Sequence, residues 1–218
     1  MKKRFLMAYS MGKDSTLALQ KMINMGYEPA ALLVGYYKNS DHTIVHHVPL
    51  DKLHRFADSL NVPIELVSLH INDDWTSAMR AGIKLKEKYD TDLYVTGDID
   101  HPRHIERNKR FAELIGLNLF MPLSEMTREE CVKEQLANHY KCIITTIDAS
   151  KLPDSLLGQE LTYDVIETIK SYGCDACGEN SEYHTLVVDS PLHRYPIKYH
   201  LKDIVIDEFR HEQTFDIE

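Results

Sequence analysis

Short apolar runs alternate with amphipathic segments over the first two thirds of the chain. The apolar runs predict six strands, at residues 4–10, 29–35, 63–69, 93–96, 117–121 and 142–147. The spacing between them predicts helices at 14–25, 50–60, 73–89 and 103–115, and a further helix that begins with a capping-box pattern at 127–130. Gly26 and Gly116 stand where two helices should stop, and Asp73 and Asp74 suit the positive end of a third. Continuous apolar strands separated by amphipathic helices favour a parallel sheet that is covered on both faces.

The last third of the chain has a different pattern. A mostly helical segment at 156–172 is followed by a polar loop at 173–182 and by three short strands, at 183–189, 195–199 and 203–207. Strands without helices between them favour antiparallel pairing. The sequence therefore predicts an α/β fold, with a doubly wound, Rossmann-like parallel sheet in a domain at 1–149 and a smaller C-terminal α+β subdomain at 150–218.

The charge balance and the cysteine content narrow the choice of partners and compartment. The 218 residues carry 25 basic and 34 acidic side chains, a formal net charge of −9. A protein that grips a phosphate backbone needs a basic surface, so nucleic acid is not an expected partner. No apolar run approaches the roughly 20 residues of a membrane span. Four cysteines do not make a disulfide framework. We therefore expect a cytoplasmic protein without a membrane partner.

The junction of the first predicted strand and helix carries the most informative residues, Ser10, Met11, Gly12, Lys13, Asp14 and Ser15. In a parallel sheet this junction lies at the edge where ligands bind. Small residues let backbone N–H groups approach phosphate oxygens, and the helix N-terminus and Lys13 add positive charge. Asp14 is interpreted as a Mg²⁺ ligand or as an acceptor that braces the loop. A plain capped helix start is the alternative interpretation. Neither the Walker pattern nor the Gly-x-Gly-x-x-Gly pattern is present.

A second group of polar residues follows the fourth predicted strand at the same sheet edge. Gly97 would let a nucleotide approach closely, and Asp98 would bond ribose, adenine or an acceptor amine, unless these residues form a simple turn. Arg107 in the next helix would face nucleotide phosphates or solvent. Cys174 and Cys177 have the spacing of zinc ligands, but a closed zinc site needs two more ligands. A redox pair and an ordinary loop therefore remain open for them.

Two separate motifs carry a resemblance to a known family. Residues 10–15 resemble the PP-loop of the N-type ATP pyrophosphatases, Ser-Gly-Gly-x-Asp-Ser, with Met11 at the first glycine. Residues 179–192 resemble the diphthine–ammonia ligase family, in which Glu-Gly-Gly-Glu-(Tyr/Phe)-x-Thr precedes an apolar strand and Asp-x-Pro-Leu. Glu179, Glu182 and Thr185 match that pattern, while Asn180 and Ser181 replace its two glycines.

The resemblance implies a fold similar to that of the adenine nucleotide alpha hydrolases and an ATP-dependent amidation that uses ATP and Mg²⁺. In that reaction a carboxylate acceptor is adenylated, pyrophosphate leaves, and ammonia displaces AMP. The resemblance assigns catalysis to Lys13, Glu179, Glu182 and Thr185. It assigns nucleotide binding to Ser10, Met11, Gly12, Lys13, Asp14, Ser15, Gly97, Asp98 and Arg107, with Asp14 also holding the metal. Ammonia and the diphthine of elongation factor 2 are the implied partners, and a homodimer is an expected assembly.

Three alternatives remain open at this stage. The same chemistry would serve a small-molecule carboxylate such as a corrinoid acid, and the replacement of two glycines by Asn180 and Ser181 favours a changed acceptor. Transfer-RNA thiolation, or another tRNA modification, would use the same adenylation and would give Cys174 and Cys177 a role as a sulfur relay. A signalling module that binds ATP without turnover would leave Glu179 and Glu182 idle.

Overall fold

The computed structural model describes residues 3–69 and 75–218, and their contacts divide the chain into two compact units. The first unit runs as far as Ser10 and resumes over Asp14–Glu125. The second comprises Met11–Lys13 and Met126–Glu218. We call residues 10–15, which are predicted to bind phosphate, the phosphate loop. Three of its residues, Met11–Lys13, therefore group with the C-terminal part of the chain.

The first unit contains a parallel sheet of five strands, β1 (Arg4–Ala8), β2 (Glu28–Tyr37), β3 (Ile64–Leu69), β4 (Leu93–Val95) and β5 (Asn118–Phe120). Their order is β3-β2-β1-β4-β5, with every pairing parallel. The strand order reverses at β1, which is the place where doubly wound sheets bind ligands. Phe5, Leu6 and Met7 point alternately to the two faces and all are fully buried, so both faces of the sheet are covered. The prediction of a Rossmann-like α/β fold is confirmed.

Helices connect these strands close to the predicted positions. They are α1 (Lys13–Asn24), a 3-10 turn (Leu50–Lys52) that leads into α2 (Leu53–Leu60), α3 (Thr76–Tyr89) and α4 (Pro102–Ile115). Gly116 ends α4 with a φ of 65°, and Gly26 follows α1 with a φ of 86°, as the two predicted helix stops require. Asp73 and Asp74 lie outside the described residues.

The second unit contains an antiparallel sheet with two helices. Its elements are α5 (Arg128–Ala137), β6 (Lys141–Asp148), a 3-10 turn (Asp154–Leu156), α6 (Tyr163–Ser171), β7 (Tyr183–Asp189), β8 (Tyr199–Ile206) and β9 (Arg210–Ile217). The strand order is β7-β6-β9-β8, and every pairing is antiparallel. The predicted α+β character of the C-terminal subdomain is confirmed.

The grouping of the sixth predicted strand with the parallel sheet is wrong. The strand at 142–147 exists, but β6 lies between β7 and β9 in the antiparallel sheet. A central strand of a small sheet is as apolar as a parallel strand when both of its faces are covered, so periodicity alone could not distinguish the two. The predicted boundary after residue 149 consequently falls inside the second unit.

Three other predictions about the C-terminal third need correction. The helix expected at 156–172 begins only at Tyr163, because Gly158 has a φ of 75° and Glu160 bridges to Ile143. The strand expected at 195–199 is wrong except at its last residue, because β8 begins only at Tyr199 and runs through most of the strand expected at 203–207. The prediction lacked β9 altogether, although its buried positions Gln213, Phe215 and Ile217 alternate as a strand requires.

Candidate active site

The hydroxyl groups of the phosphate loop hold one another at the end of β1. The Ser15 Oγ lies 3.2 Å from the Ser10 Oγ and accepts a hydrogen bond from the Ser10 backbone N–H at 3.3 Å. Just outside the motif, the Tyr9 hydroxyl and the Thr16 Oγ1 are 3.1 Å apart. Asp14 lies in the first turn of α1 and is half-buried. The first unit thus presents hydroxyl and carboxylate oxygens at the sheet edge where α/β folds bind ligands, and oxygen is the donor type that suits Mg²⁺.

Gly97 lies directly against the start of α1. A β-carbon at this position would be 2.9 Å from the backbone carbon and oxygen of Asp14 and from the Cα of Ser15. Backbone atoms cannot move aside as a flexible side chain can. This glycine therefore permits the close approach of the loop, and the approach of a nucleotide to Gly97 stays a prediction.

Asp98 is engaged by its own neighbours. Its Oδ2 accepts hydrogen bonds from the Thr96 Oγ1 at 2.7 Å and from the Asn108 Nδ2 at 2.6 Å. The Asn108 side chain also accepts a hydrogen bond from the Tyr94 hydroxyl at 3.3 Å, and burial together with the nearby Asp98 raises the pKa of Tyr94 well above its usual range. Asp98 thus ties the end of β4 to α4, a role that sequence reasoning missed. Arg107 lies exposed on α4.

The middle of the phosphate loop lies in the second unit, against the second motif. The Met11 carbonyl accepts a hydrogen bond of 2.8 Å from the Val187 N–H on β7. The Lys13 ammonium, with the side chain only 4% exposed, donates to the Cys177 Sγ at 3.5 Å and lies 5.6 Å from the centre of the Tyr183 ring. Lys13 of the first motif therefore contacts Tyr183 of the second, and also Cys177, which is 164 residues away in sequence.

Two of the residues that stand in place of glycines in the related motifs have a backbone conformation that favours glycine. Met11 has a φ of 66° and Ser181 a φ of 62°, both in the left-handed region. That region costs an ordinary residue about 1–2 kcal/mol. The Met11 side chain is fully buried, whereas Ser181 is exposed. The conformation of these turns is thus retained although the residues that adopt it most easily are absent.

The two carboxylates of the second motif have different environments. Glu182 is only 4% exposed, and its Oε2 and Oε1 accept hydrogen bonds from the Asn180 N–H at 2.9 Å and from the Asn180 Nδ2 at 3.1 Å. Glu179 is half-buried. Thr185 is buried on β7, and its Oγ1 has no hydrogen-bond partner among the described residues. The motif therefore offers one fixed carboxylate, one accessible carboxylate and an unsatisfied hydroxyl.

Cys174 and Cys177 are buried and unoxidised. Burial, and secondly the negative charge of Glu182, raise the pKa of the Cys174 thiol, which keeps that residue protonated. Cys177, unlike Cys174, accepts a hydrogen bond from the Lys13 ammonium.

Comparisons with known proteins agree with this division of the chain. The model of the diphthamide synthase N-terminal domain matches residues 2–119, and that of the diphthamide synthase C-terminal domain matches residues 128–216. A diphthine–ammonia ligase of Mus musculus is 30% identical over 127 residues, which are 56% of this chain and 45% of that protein. A diphthine–ammonia ligase of Schizosaccharomyces pombe is 25% identical over 215 residues, or 89% of this chain and 36% of that protein. The chain thus spans less than half the length of the curated relatives it matches.

The first unit is an α/β Rossmann-like domain, with a hydroxyl-lined loop at the end of its central strand. The two family models together match most of the chain and show that the chain belongs to the diphthamide synthase family. Within residues 3–69 and 75–218, no helix combines the length and the apolar character that crossing a membrane requires.

Replacement of Gly97 by alanine tests the packing of the phosphate loop. The new methyl group would meet backbone atoms at 2.9 Å, so the start of α1 must shift. We expect ATP affinity, measured by calorimetry, to fall about ten-fold or more because binding sites depend on exact loop geometry. Gly35→Ala is the control, since its methyl would meet only side-chain carbons of Ile44 and Leu69 at 3.3 and 3.4 Å. Equal affinities for both variants would contradict the assignment.

Replacement of Ser181 by glycine tests the strain in the second motif. Glycine adopts a φ of 62° freely, so we expect the free energy of unfolding to rise by about 1 kcal/mol. Ser181→Ala keeps the β-carbon and should bring no gain. Urea denaturation followed by circular dichroism measures both, and a loss of stability in Ser181→Gly would show that the serine side chain stabilises the turn.

Proposed function

We propose that the protein is an ATP-dependent amide ligase that adenylates a substrate carboxylate and then amidates it with ammonia. The name of its relatives, diphthine–ammonia ligase, supports the ligation to ammonia. The observation that carries the proposal is the contact of Lys13, in the phosphate loop, with Tyr183 in the second motif and with Cys177 two residues before that motif. A phosphate-binding charge and a pair of carboxylates are then parts of one site. Diphthine on elongation factor 2 is the first acceptor to test.

The phosphate loop supplies the stabilisation of negative charge. The loop hydroxyls of Ser10 and Ser15 and the charge of Lys13 would bind the phosphates, and Asp14 would hold Mg²⁺, which supplies further positive charge to the leaving pyrophosphate. A charge fixed in a site that is shielded from water acts more strongly than the same charge in solution. Gly97 and Asp98 contribute by holding the start of α1 and the end of β4.

The second motif supplies the groups for the amidation. Glu179, the less buried of the two carboxylates, would bind ammonium and take its proton, because a carboxylate attracts a cation and loss of the proton leaves ammonia as the nucleophile. The buried Glu182 holds the motif in shape and faces Asn180. Thr185 has an unsatisfied hydroxyl that can bond the acceptor or the departing adenylate.

Product analysis tests the proposed reaction directly. The protein would be incubated with Mg-ATP, ammonium and diphthine-bearing elongation factor 2, with small carboxylic acids including corrinoid acids in parallel. We expect AMP and pyrophosphate, together with an acceptor whose acid has become an amide by mass spectrometry. If AMP forms only with a small acid, the ligase activity is supported and the acceptor is that acid, not diphthine. Tight ATP binding without AMP under all conditions would contradict the ligase and favour a signalling module.

Substitution of Lys13 and Glu182 separates the two halves of the site. Lys13→Ala removes a buried charge from the phosphate loop, so we expect AMP formation to fall about a hundred-fold or more. Lys21→Ala, in the last turn of the same helix, is the control and should leave the rate unchanged.

Glu182→Ala should leave ATP affinity intact while turnover falls. Unchanged turnover in Glu182→Ala would remove Glu182 from the mechanism.

Thiol chemistry is the second candidate function, and the contact of Lys13 with Cys177 is the observation that favours it. A tRNA-thiolating enzyme would need Cys177 for sulfur transfer, whereas an amide ligase needs no sulfur donor. The net charge of −9 weighs against an RNA substrate. Incubation of the protein with Mg-ATP, a persulfide donor and tRNA, followed by nucleoside analysis, distinguishes the two.

A further inference from the structure

Asp175 is the hydrogen-bonding centre of the loop that carries the second motif. Its Oδ1 accepts from the N–H groups of Cys177 at 2.7 Å and Gly178 at 2.9 Å. Its Oδ2 accepts from the N–H of Glu179 at 3.2 Å. One carboxylate thus accepts hydrogen bonds from three consecutive backbone N–H groups. The first of these residues, Cys177, contacts Lys13, and the third, Glu179, is the first carboxylate of the second motif.

Arg128 fixes this carboxylate to the body of the second unit. Its Nη1 lies 2.8 Å from the Asp175 Oδ2, and both side chains are about three-quarters buried. Arg128 is the first residue of α5, directly after Thr127, whose side chain and backbone form a capping box with Glu130. Partial burial strengthens such a pair relative to an exposed one. The loop is therefore attached to a helix end that is itself held in place.

Asn180 extends the network to Glu182. Its Nδ2 lies 3.1 Å from the Asp175 Oδ2 and 3.1 Å from the Glu182 Oε1, and its backbone N–H donates to the Glu182 Oε2 at 2.9 Å. Asn180 stands where the related motif has glycine, which has no side chain to make these bonds. The position of Glu182 in this chain therefore depends on Asp175 through a single amide.

We propose that Asp175 is a positioning residue for the amidation half of the site, acting on Glu179 through its backbone and on Glu182 through Asn180. The inference rests on the proposed function, because it assigns these carboxylates a part in the reaction. It predicts that loss of Asp175 lowers kcat while the affinity for ATP, which depends on the phosphate loop, stays the same.

The two oxygens of Asp175 allow a graded test. Asp175→Asn keeps one oxygen that can still accept from Cys177 and Gly178, but its amide nitrogen cannot accept from Glu179, Asn180 or Arg128. Asp175→Ala loses both sides. Asn180→Gly leaves Asp175 in place and removes only the link to Glu182. Asp154→Asn is the matched control, since its carboxylate pairs with His211 in the same unit.

Two measurements on the full chain test the proposal separately: amide hydrogen exchange reports the order of the loop, and kinetics report its effect on the reaction. We expect faster exchange at the amide of Glu179 in Asp175→Asn, and at the amides of Cys177, Gly178 and Glu179 in Asp175→Ala, with no change in Asp154→Asn. We expect kcat for AMP formation to fall about ten-fold in Asp175→Asn and further in Asp175→Ala, with unchanged ATP affinity. Asn180→Gly should lower kcat with little effect on the amide of Cys177.

Each failure has a distinct meaning. Unchanged exchange at residues 177–179 in Asp175→Ala would overturn the proposal, whether or not the wild-type protein forms AMP. Faster exchange with unchanged kcat would also overturn it, because the loop would then be ordered without consequence for the reaction. A wild-type protein that forms no AMP would instead overturn the proposed function, and with it the catalytic role given to Asp175.

Discussion

The burial of the Lys13 ammonium is the constraint on which the candidate site depends. A charge removed from water is costly unless partners compensate it. A thiol and the face of an aromatic ring are among the groups that contribute to that compensation here. In the proposed reaction, a bound phosphate group would add negative charge beside this side chain and beside the backbone N–H groups of the helix start.

The two turns that build the site retain their shape through backbone conformation rather than through residue identity. Met11 and Ser181 both have positive φ where the related motifs have glycine. The strain at Met11 coexists with a fully buried side chain, whose packing offsets it. Strained backbone persists only where the surroundings determine it, and it concentrates at functional sites. Met11 and Ser181 therefore have the backbone conformation that glycine adopts most easily, although neither is a glycine.

Much of the fold was predictable from the sequence because its strongest signals are local. The strands and helices of the first unit follow the apolar periodicity, and Gly116 ends α4 as a left-handed residue should. The assignment of β6 to a sheet depends on its partners β7 and β9, which lie far along the chain and leave no mark on the strand itself. The strand β9 was missed because most of its residues are polar and only alternate positions near its end are buried.

The sequence motifs supply the candidate residues of the site but not the contacts that these residues make. Motif spacing identified Gly97 and Asp98, while their partners, the Asp14 backbone and Asn108, depend on folding. Asp175 was missed because an aspartate in a polar loop is an ordinary surface residue until its acceptors are seen to hold three N–H groups.

The same limit applies to the pair of glutamates, which the sequence presents as equivalent. Both oxygens of Glu182 accept hydrogen bonds from Asn180, and the side chain is nearly excluded from water. A carboxylate held in this way is fixed in position but has little room to meet a diffusing ammonium ion. Glu179 is half-buried, and its backbone N–H donates to Asp175, so its side chain is less enclosed than that of Glu182. In the proposed reaction one glutamate therefore acts as the base, and the other maintains the shape of the surface on which the base works.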